Sequence, residues 1–329
     1  MVIDSGWNWQ HPLAGLVTLG LTLGVTLFLL GPIGGGLLFL GRSLAGGLPG
    51  GWRAFLFRDF SRIRAFPADR RGRAARLPVL LVLFGSYMAV TLIPIGPGKV
   101  LADFEGGLLF LYAASMTLVS GLVLLAAERG EPLRFPFHFA SFEAALLFCL
   151  LIPAYLAGSL RFETIVEAQG GGYGIANWFL FHDPCSFVAF FLYLAALTLQ
   201  PGGEEGEPRR MPNILTFILN GRLLVMCALA SVTFLGGWQV PFLDVRTNPP
   251  DWMIHALGSV LWFVVKTLPL TLLVGWLRHR TGREARRRGI SWCLRFLIPS
   301  ALFLLWGSAL WMTVSHGAGL PRLLMGGLR

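Results

Sequence analysis

The sequence predicts an all-α polytopic membrane protein of about eight transmembrane helices, with one amphipathic helix lying in the cytoplasmic interface. Three observations carry this. Of the 329 residues, 55% are hydrophobic and 13% charged, where soluble domains carry about 25% charged residues. Apolar runs long enough to cross ~30 Å of hydrocarbon recur along the whole chain. The net charge of +10 is almost entirely arginine, with Lys99 and Lys266 the only lysines, and the arginines collect in alternate loops. Lysine and arginine loops remain on the cytoplasmic side. The basic excess therefore reflects topology and anionic lipid rather than nucleic acid.

The chain reads as a single integral membrane domain, 1–329. The start, MVIDSGWNWQHPLAG, lacks a basic leader region, so the first apolar run reads as a retained span. That span covers about residues 12–41 and is interrupted by Gly31-Pro32 and Gly34-Gly35-Gly36, breaks that neighbouring helices can repair. The loop of about 42–77 carries nine arginines from Arg42 to Arg76 and belongs inside. Within it, Trp52, Phe55, Leu56, Phe60, Ile63 and Phe66 recur at helical spacing. Arg53, Arg58, Asp59, Arg62 and Arg64 fall mostly on the other face. This is the pattern of an interfacial helix, about residues 50–66.

Spans two and three lie at about 77–97 and 107–127, with Asp103 placed to cap the third. Span four, about 140–161, opens with Ala140-Ser141-Phe142-Glu143. A carboxylate a turn inside an apolar helix marks a functional position, because its burial is expensive. Pairing with Arg134 or His138 nearby is the simpler alternative. Span five, about 183–200, is followed by Glu204, Glu205 and Glu207 beside Arg209 and Arg210. Span six, about 214–236, holds Arg222, which is expected to snorkel to the cytoplasmic face. Spans seven and eight form a hairpin from Trp262 to about Trp311. Its turn carries Arg278, Arg280, Arg283, Arg286, Arg287 and Arg288. Lys266 breaks the apolar pattern of the first arm and must snorkel, pair or face a wet cavity. Both termini then lie outside. Cys149, Cys185, Cys227 and Cys293 have no C-x-x-C spacing, so no iron–sulfur or zinc site is expected.

Phe263-Val264-Val265-Lys266-Thr267-Leu268 with Trp276-Leu277-Arg278 resembles the end of the H subunit of bacterial NADH–quinone oxidoreductase (complex I), the equivalent of the first mitochondrially encoded subunit. Ser141-Phe142-Glu143 is similar to that family's S-Y-E, and Phe234-Leu235-Gly236-Gly237-Trp238 with Pro241 to its F-L-G-G-W-x-x-P. Leu101-Ala102-Asp103 with Gly107-Leu108-Leu109, and Gly158-Ser159-Leu160 with Ile165-Val166 and Gln169, resemble further family segments.

The resemblance implies a membrane subunit of a redox-driven proton pump in the bacterial cytoplasmic (inner) membrane. Such a subunit seats a peripheral arm, lines a quinone cavity and relays coupling to proton channels. It is a non-catalytic subunit that binds no cofactor itself, with quinone at the interface with partner subunits. The implied partners are iron–sulfur and quinone-site subunits of the arm, small membrane subunits, antiporter-like subunits and lipid. Glu143, Glu204, Glu205, Glu207 and Lys266 would serve the proton relay, and Arg58, Asp59 and Arg62 the quinone cavity or interface.

The chain also departs from that family. Gly41-Arg42-Ser43 and LAGGLPGGW replace its E-R-R/K and R-x-G-P-N segments, and PGGEEGEPRRMPN replaces a longer acidic loop. The glutamate of its A-E-Y falls near Ile218-Leu219-Asn220 and is absent. Three alternatives therefore stay open. One is the equivalent subunit of a complex I-related hydrogenase or other redox complex without quinone reduction. A second is a structural anchor with a decayed proton path. The third is a secondary transporter built on Glu143 and Lys266, for which the sequence shows no inverted repeat.

Overall fold

Backbone amides and carbonyls in hydrocarbon must be satisfied inside the chain, and the described elements meet that demand with helices. The computed structural model describes residues 76–94, 105–129, 133–170, 174–201, 213–240, 252–281 and 288–317, with four isolated helical positions between 33 and 40. In order these give α1 (Arg76–Tyr87, continued by a 3-10 turn Met88–Leu92), α2 (Gly107–Arg129), α3 (Arg134–Ala157), α4 (Phe162–Glu167) and a 3-10 turn, Gly174–Asn177. There follow α5 (Phe179–His182), α6 (Pro184–Leu199), α7 (Asn213–Phe234), α8 (Trp252–Arg280), α9 (Gly289–Trp292), a π-helical stretch Cys293–Leu297 and α10 (Ile298–Gly317).

By length and composition, four helices can cross a membrane: Gly107–Glu128, Arg134–Ala157, Gly258–Arg280 and Cys293–Val314. Three shorter apolar helices, Leu77–Leu92, Pro184–Leu199 and Ile218–Phe234, stand where spans two, five and six were expected. Apart from those four positions the first span lies outside the described residues, as do the interfacial helix about 50–66 and Asp103. Two helices begin earlier than hydropathy suggested. Span four starts at Arg134 rather than about 140, and span seven at Trp252 rather than 262. Glu143 consequently sits nine residues into α3 (143 − 134), deeper than the single turn expected.

Local sequence explains several boundaries. Asp183 caps α6, accepting from the amides of Cys185 and Ser186 at 3.2 Å each, and Pro184 occupies the first helical position, where it has no bond to lose. α3 stops at Gly158, whose left-handed φ of 63° lets Ser159 N donate back to Ala154 O at 3.1 Å.

The helices pack through small residues where they come closest. A Cβ on Gly121 would lie 2.8 Å from Pro78 O and 2.9 Å from Val82 N, and one on Gly85 would strike the backbone of Ala114 and Leu118. α1 and α2 thus meet backbone to backbone, the mode that favours glycine between membrane helices. α10 packs on α3 and α6, and α8 on α7. The far side of α10 leaves Phe303, Trp306 and Val314 exposed.

Candidate functional site

Polar side chains buried among the helices gather at two levels, one toward each end of the bundle. The first lies toward the end that carries Arg278, Arg280 and Arg288. Its centre is Glu143 of α3, with 0% of its surface exposed, and Arg222 of α7, with 2%. Arg222 Nη2 donates to Glu143 Oε2 at 2.5 Å and Nε donates to Oε1 at 3.3 Å, a two-point ion pair. The same guanidinium donates from Nη1 to the carbonyl of Gly85 on α1 at 3.2 Å, and from Nη2 to Ser115 Oγ on α2 at 3.0 Å. Gln200, the residue that ends α6, donates from Nε2 to Glu143 Oε1 at 2.8 Å. One carboxylate and one guanidinium thereby join five helices.

The expectation that Arg222 snorkels to the cytoplasmic face is overturned. Arg222 lies nine residues from the start of α7 (222 − 213), roughly 14 Å along the axis. Glu143 lies the same nine residues from the start of α3. Both helices enter from the same arginine-bearing end, so acid and base arrive at one depth. A buried counter-charge then holds the guanidinium better than a climb of two turns. The ion pair of Glu143 is with Arg222 on another helix, in place of the local pairing with Arg134 or His138.

Gln200 also ties this centre to the chain beyond it. Arg278 of α8 donates from Nε and Nη2 to Leu197 O at 3.0 and 2.8 Å, and from Nη2 to Gln200 O at 3.3 Å. These carbonyls end α6 and have no helical partner of their own, and a cation there also opposes the negative end of the helix dipole. Arg278 thus fixes the residue whose side chain holds Glu143.

The second level lies at the opposite end and is built around Lys266. Its Nζ donates to the carbonyls of Leu235 at 2.7 Å, Gly237 at 3.0 Å and Gln239 at 2.9 Å. The Trp178 ring lies 4.2 Å from Nζ on a further side. An ammonium has three donors, and all three find carbonyls. The sequence FLGGWQ makes the bowl. Gly236 and Gly237 take left-handed φ values of 69° and 49°, a run that L side chains resist, and the turn they form aims alternate carbonyls at one point.

Gln169 braces the same turn from below. Its Nε2 donates to Ile165 O at 3.1 Å and Val232 O at 3.0 Å, and its Oε1 accepts from the amides of Phe179 at 3.2 Å and Gly236 at 2.9 Å. The side-chain amide has all four of its hydrogen bonds in a site only 1% exposed.

Of the residues singled out from sequence, the structure thus places Glu143 at one level and Lys266 at the other. The two are not brought together: along α8, Lys266 and Arg278 are 12 residues apart (278 − 266), roughly 18 Å. Arg58, Asp59, Arg62, Glu204, Glu205 and Glu207 lie outside the described residues. Sequence reading missed Arg222, Gln200 and Ser115 as partners of Glu143, and Trp178 and Gln169 as supports of Lys266. Among the described residues no three His, Cys, Asp or Glu side chains gather as a metal site. What the two levels offer chemically is charge pairing and hydrogen bonding.

Known proteins match the same segments. A sequence model of the NADH dehydrogenase family matches residues 56–201 and 214–309. The match takes in Glu143, Gln200, Arg222 and Lys266 and leaves out 202–213, with Glu204, Glu205 and Glu207. The chain is similar to the NADH-quinone oxidoreductase H subunit of Rubrobacter xylanophilus, 32% identical over 274 residues, 75% of this chain and 76% of the relative. It is similar to the corresponding H subunit of Chlorobaculum parvum, 27% identical over 267 residues and 72% of each chain. The H subunit of Anaeromyxobacter dehalogenans is 25% identical over 295 residues, 80% of this chain and 71% of the relative.

Proposed function

The chain belongs to the H-subunit family of NADH-quinone oxidoreductase, complex I, and from that premise we propose that it seats the peripheral redox arm of a complex I-type proton pump in the bacterial cytoplasmic membrane. In this reading the arginine-bearing end faces the cytoplasm and both termini lie outside. Arg58, Asp59 and Arg62 belong to the rim of a quinone cavity shared with partner subunits, and iron–sulfur and antiporter-like subunits are the neighbours. Coupling passes from the cavity to the proton channels, and the buried centre of Glu143 and Arg222 holds the helices between them.

The observation that carries this reading is the position of that centre. It is an ion pair of two buried charges, hydrogen-bonded to Gln200, the residue that caps α6 at the arginine-bearing end. Burying two charges is costly, and hydrophobic residues of similar volume often replace such a pair at no loss of stability. A pair kept at that cost, bridging five helices at the end nearest the proposed arm, is suited to fix the seat on which the arm rests. Lys266 and its carbonyl bowl brace the opposite end.

The test is electron transfer to a short-chain quinone, together with proton uptake, in inverted membrane vesicles with and without this chain. Loss of both on deletion, and return of both on complementation, is the expected result. Quinone reduction by the assembled remainder of the complex without this chain would overturn the quinone-cavity role. The hydrogenase-related alternative is favoured by the departures in the loops about 42–50 and 201–213. It would appear as assembly and proton uptake with no quinone-dependent electron transfer.

A further inference from the structure

We infer that the ion pair with Arg222 makes Glu143 a structural staple, so that protons moved by the complex do not pass through it. The inference rests on the functional reading above and refines it: the buried centre holds the helices of the seat in place and does not carry the proton.

Three features of the geometry carry this. First, the carboxylate accepts three hydrogen bonds from two buried side chains. Oε2 accepts from Arg222 Nη2, while Oε1 accepts from Arg222 Nε and from Gln200 Nε2. Neutralising the carboxylate leaves Arg222 as an uncompensated cation with 2% of its surface exposed. That state is among the least favourable a buried pair can reach. Second, the guanidinium cannot follow the proton away. Nη1 is bonded to Gly85 O, and Gly85 is fixed by backbone packing against Ala114 and Leu118 that leaves no room even for a Cβ. Ser115 Oγ holds Nη2 from α2. Third, Gln200 holds Oε1 from the end of α6 and is itself fixed by Arg278 of α8, whose Nη2 donates to Gln200 O at 3.3 Å. What remains is a neutral unit that staples α1, α2, α3, α6 and α7.

A consequence concerns the obvious mutation. Glu143→Gln alone removes the carboxylate but strands Arg222, so a defect in that variant would say nothing about proton transfer. The informative set is Glu143→Gln, Arg222→Gln and the Glu143→Gln/Arg222→Gln double variant, with Glu143→Met/Arg222→Met as an apolar version of the double. Each is made in the full complex, purified through a tag on this chain and reconstituted in liposomes. The readouts are the yield of assembled complex and the protons translocated per electron.

Each single variant is expected to lower the yield by roughly tenfold or more, because each leaves one buried charge unpaired. At least one double variant is expected to recover to within about twofold of wild type, with an unchanged proton-to-electron ratio, since neutralising both partners together removes the penalty. A double variant that assembles and transfers electrons but moves fewer protons would overturn the inference, because Glu143 would then carry one. Double variants no better assembled than the singles would also overturn it. The compensation can also be read from the thermal stability of this chain alone in detergent. It stands or falls there even if no redox partner is found.

Discussion

Lys266→Met is the perturbation whose size follows most directly from the structure. The substitution keeps an unbranched apolar stem and removes the ammonium. Three hydrogen bonds of 2.7, 2.9 and 3.0 Å to the carbonyls of Leu235, Gln239 and Gly237 are lost, with the contact to the Trp178 ring. Hydrogen bonds from a charged donor contribute about 1.5–3 kcal/mol each, and an ammonium over tryptophan about 1 kcal/mol. The gross sum overstates the effect, since removing Lys266 also relieves the cost of burying its charge. A net loss of about 3–5 kcal/mol is expected, a melting point lower by roughly 10 °C. Lys266→Arg should fail too, because a planar guanidinium does not match three carbonyls converging on one nitrogen. The assay is the fraction of the detergent-solubilised chain that elutes as a single species after heating. A relay role for Lys266 would instead leave stability intact and abolish proton translocation. Wild-type melting of Lys266→Met would refute the cradle.

Further outcomes follow from the same geometry. Gln169→Leu removes four hydrogen bonds between α4, α5 and the turn after α7, and should cost about 2–4 kcal/mol in the same heating assay. Gly236→Ala forces a side chain into a φ of 69° and to within 2.9 Å of the Trp178 ring. A loss of about 1–3 kcal/mol is expected, while Gly258→Ala, whose Cβ meets nothing within 4 Å, should be neutral or slightly stabilising in the helix. Asp183→Ala removes the cap of α6 and should cost about 1 kcal/mol. Gly85→Ala should separate α1 from α2 and draw the Gly85 carbonyl off Arg222. Its yield of assembled complex should fall as far as that of Arg222→Gln.

The sequence made the membrane class and the places of the helices legible because apolar composition is a property of each run by itself. Boundaries were less so. α3 begins with Arg134, Phe135 and Pro136, where a hydropathy reading hesitates, yet arginine can reach back to the interface and proline costs no bond in a first turn. α8 begins just after Asn248-Pro249-Pro250-Asp251, a helix-start signal that hydropathy does not register. Glu143 and Lys266 stood out as charges in apolar runs, but their partners did not. The Lys266 partners are backbone carbonyls, which leave no mark except the glycines that turn them. The Glu143 partner lies 79 residues away, and reading Arg222 singly suggested a climb to the surface. Equal depth in two helices entering from the same side was the available signal, and it requires reading the spans in pairs.

The most direct test of the central claim is to purify the protein in mild detergent through a tag on this chain and identify the proteins that come with it. Iron–sulfur subunits together with large antiporter-like membrane subunits, in fixed proportion to this chain, are the expected result. A chain that purifies alone, or only with copies of itself, would contradict its place in a complex I-type redox pump.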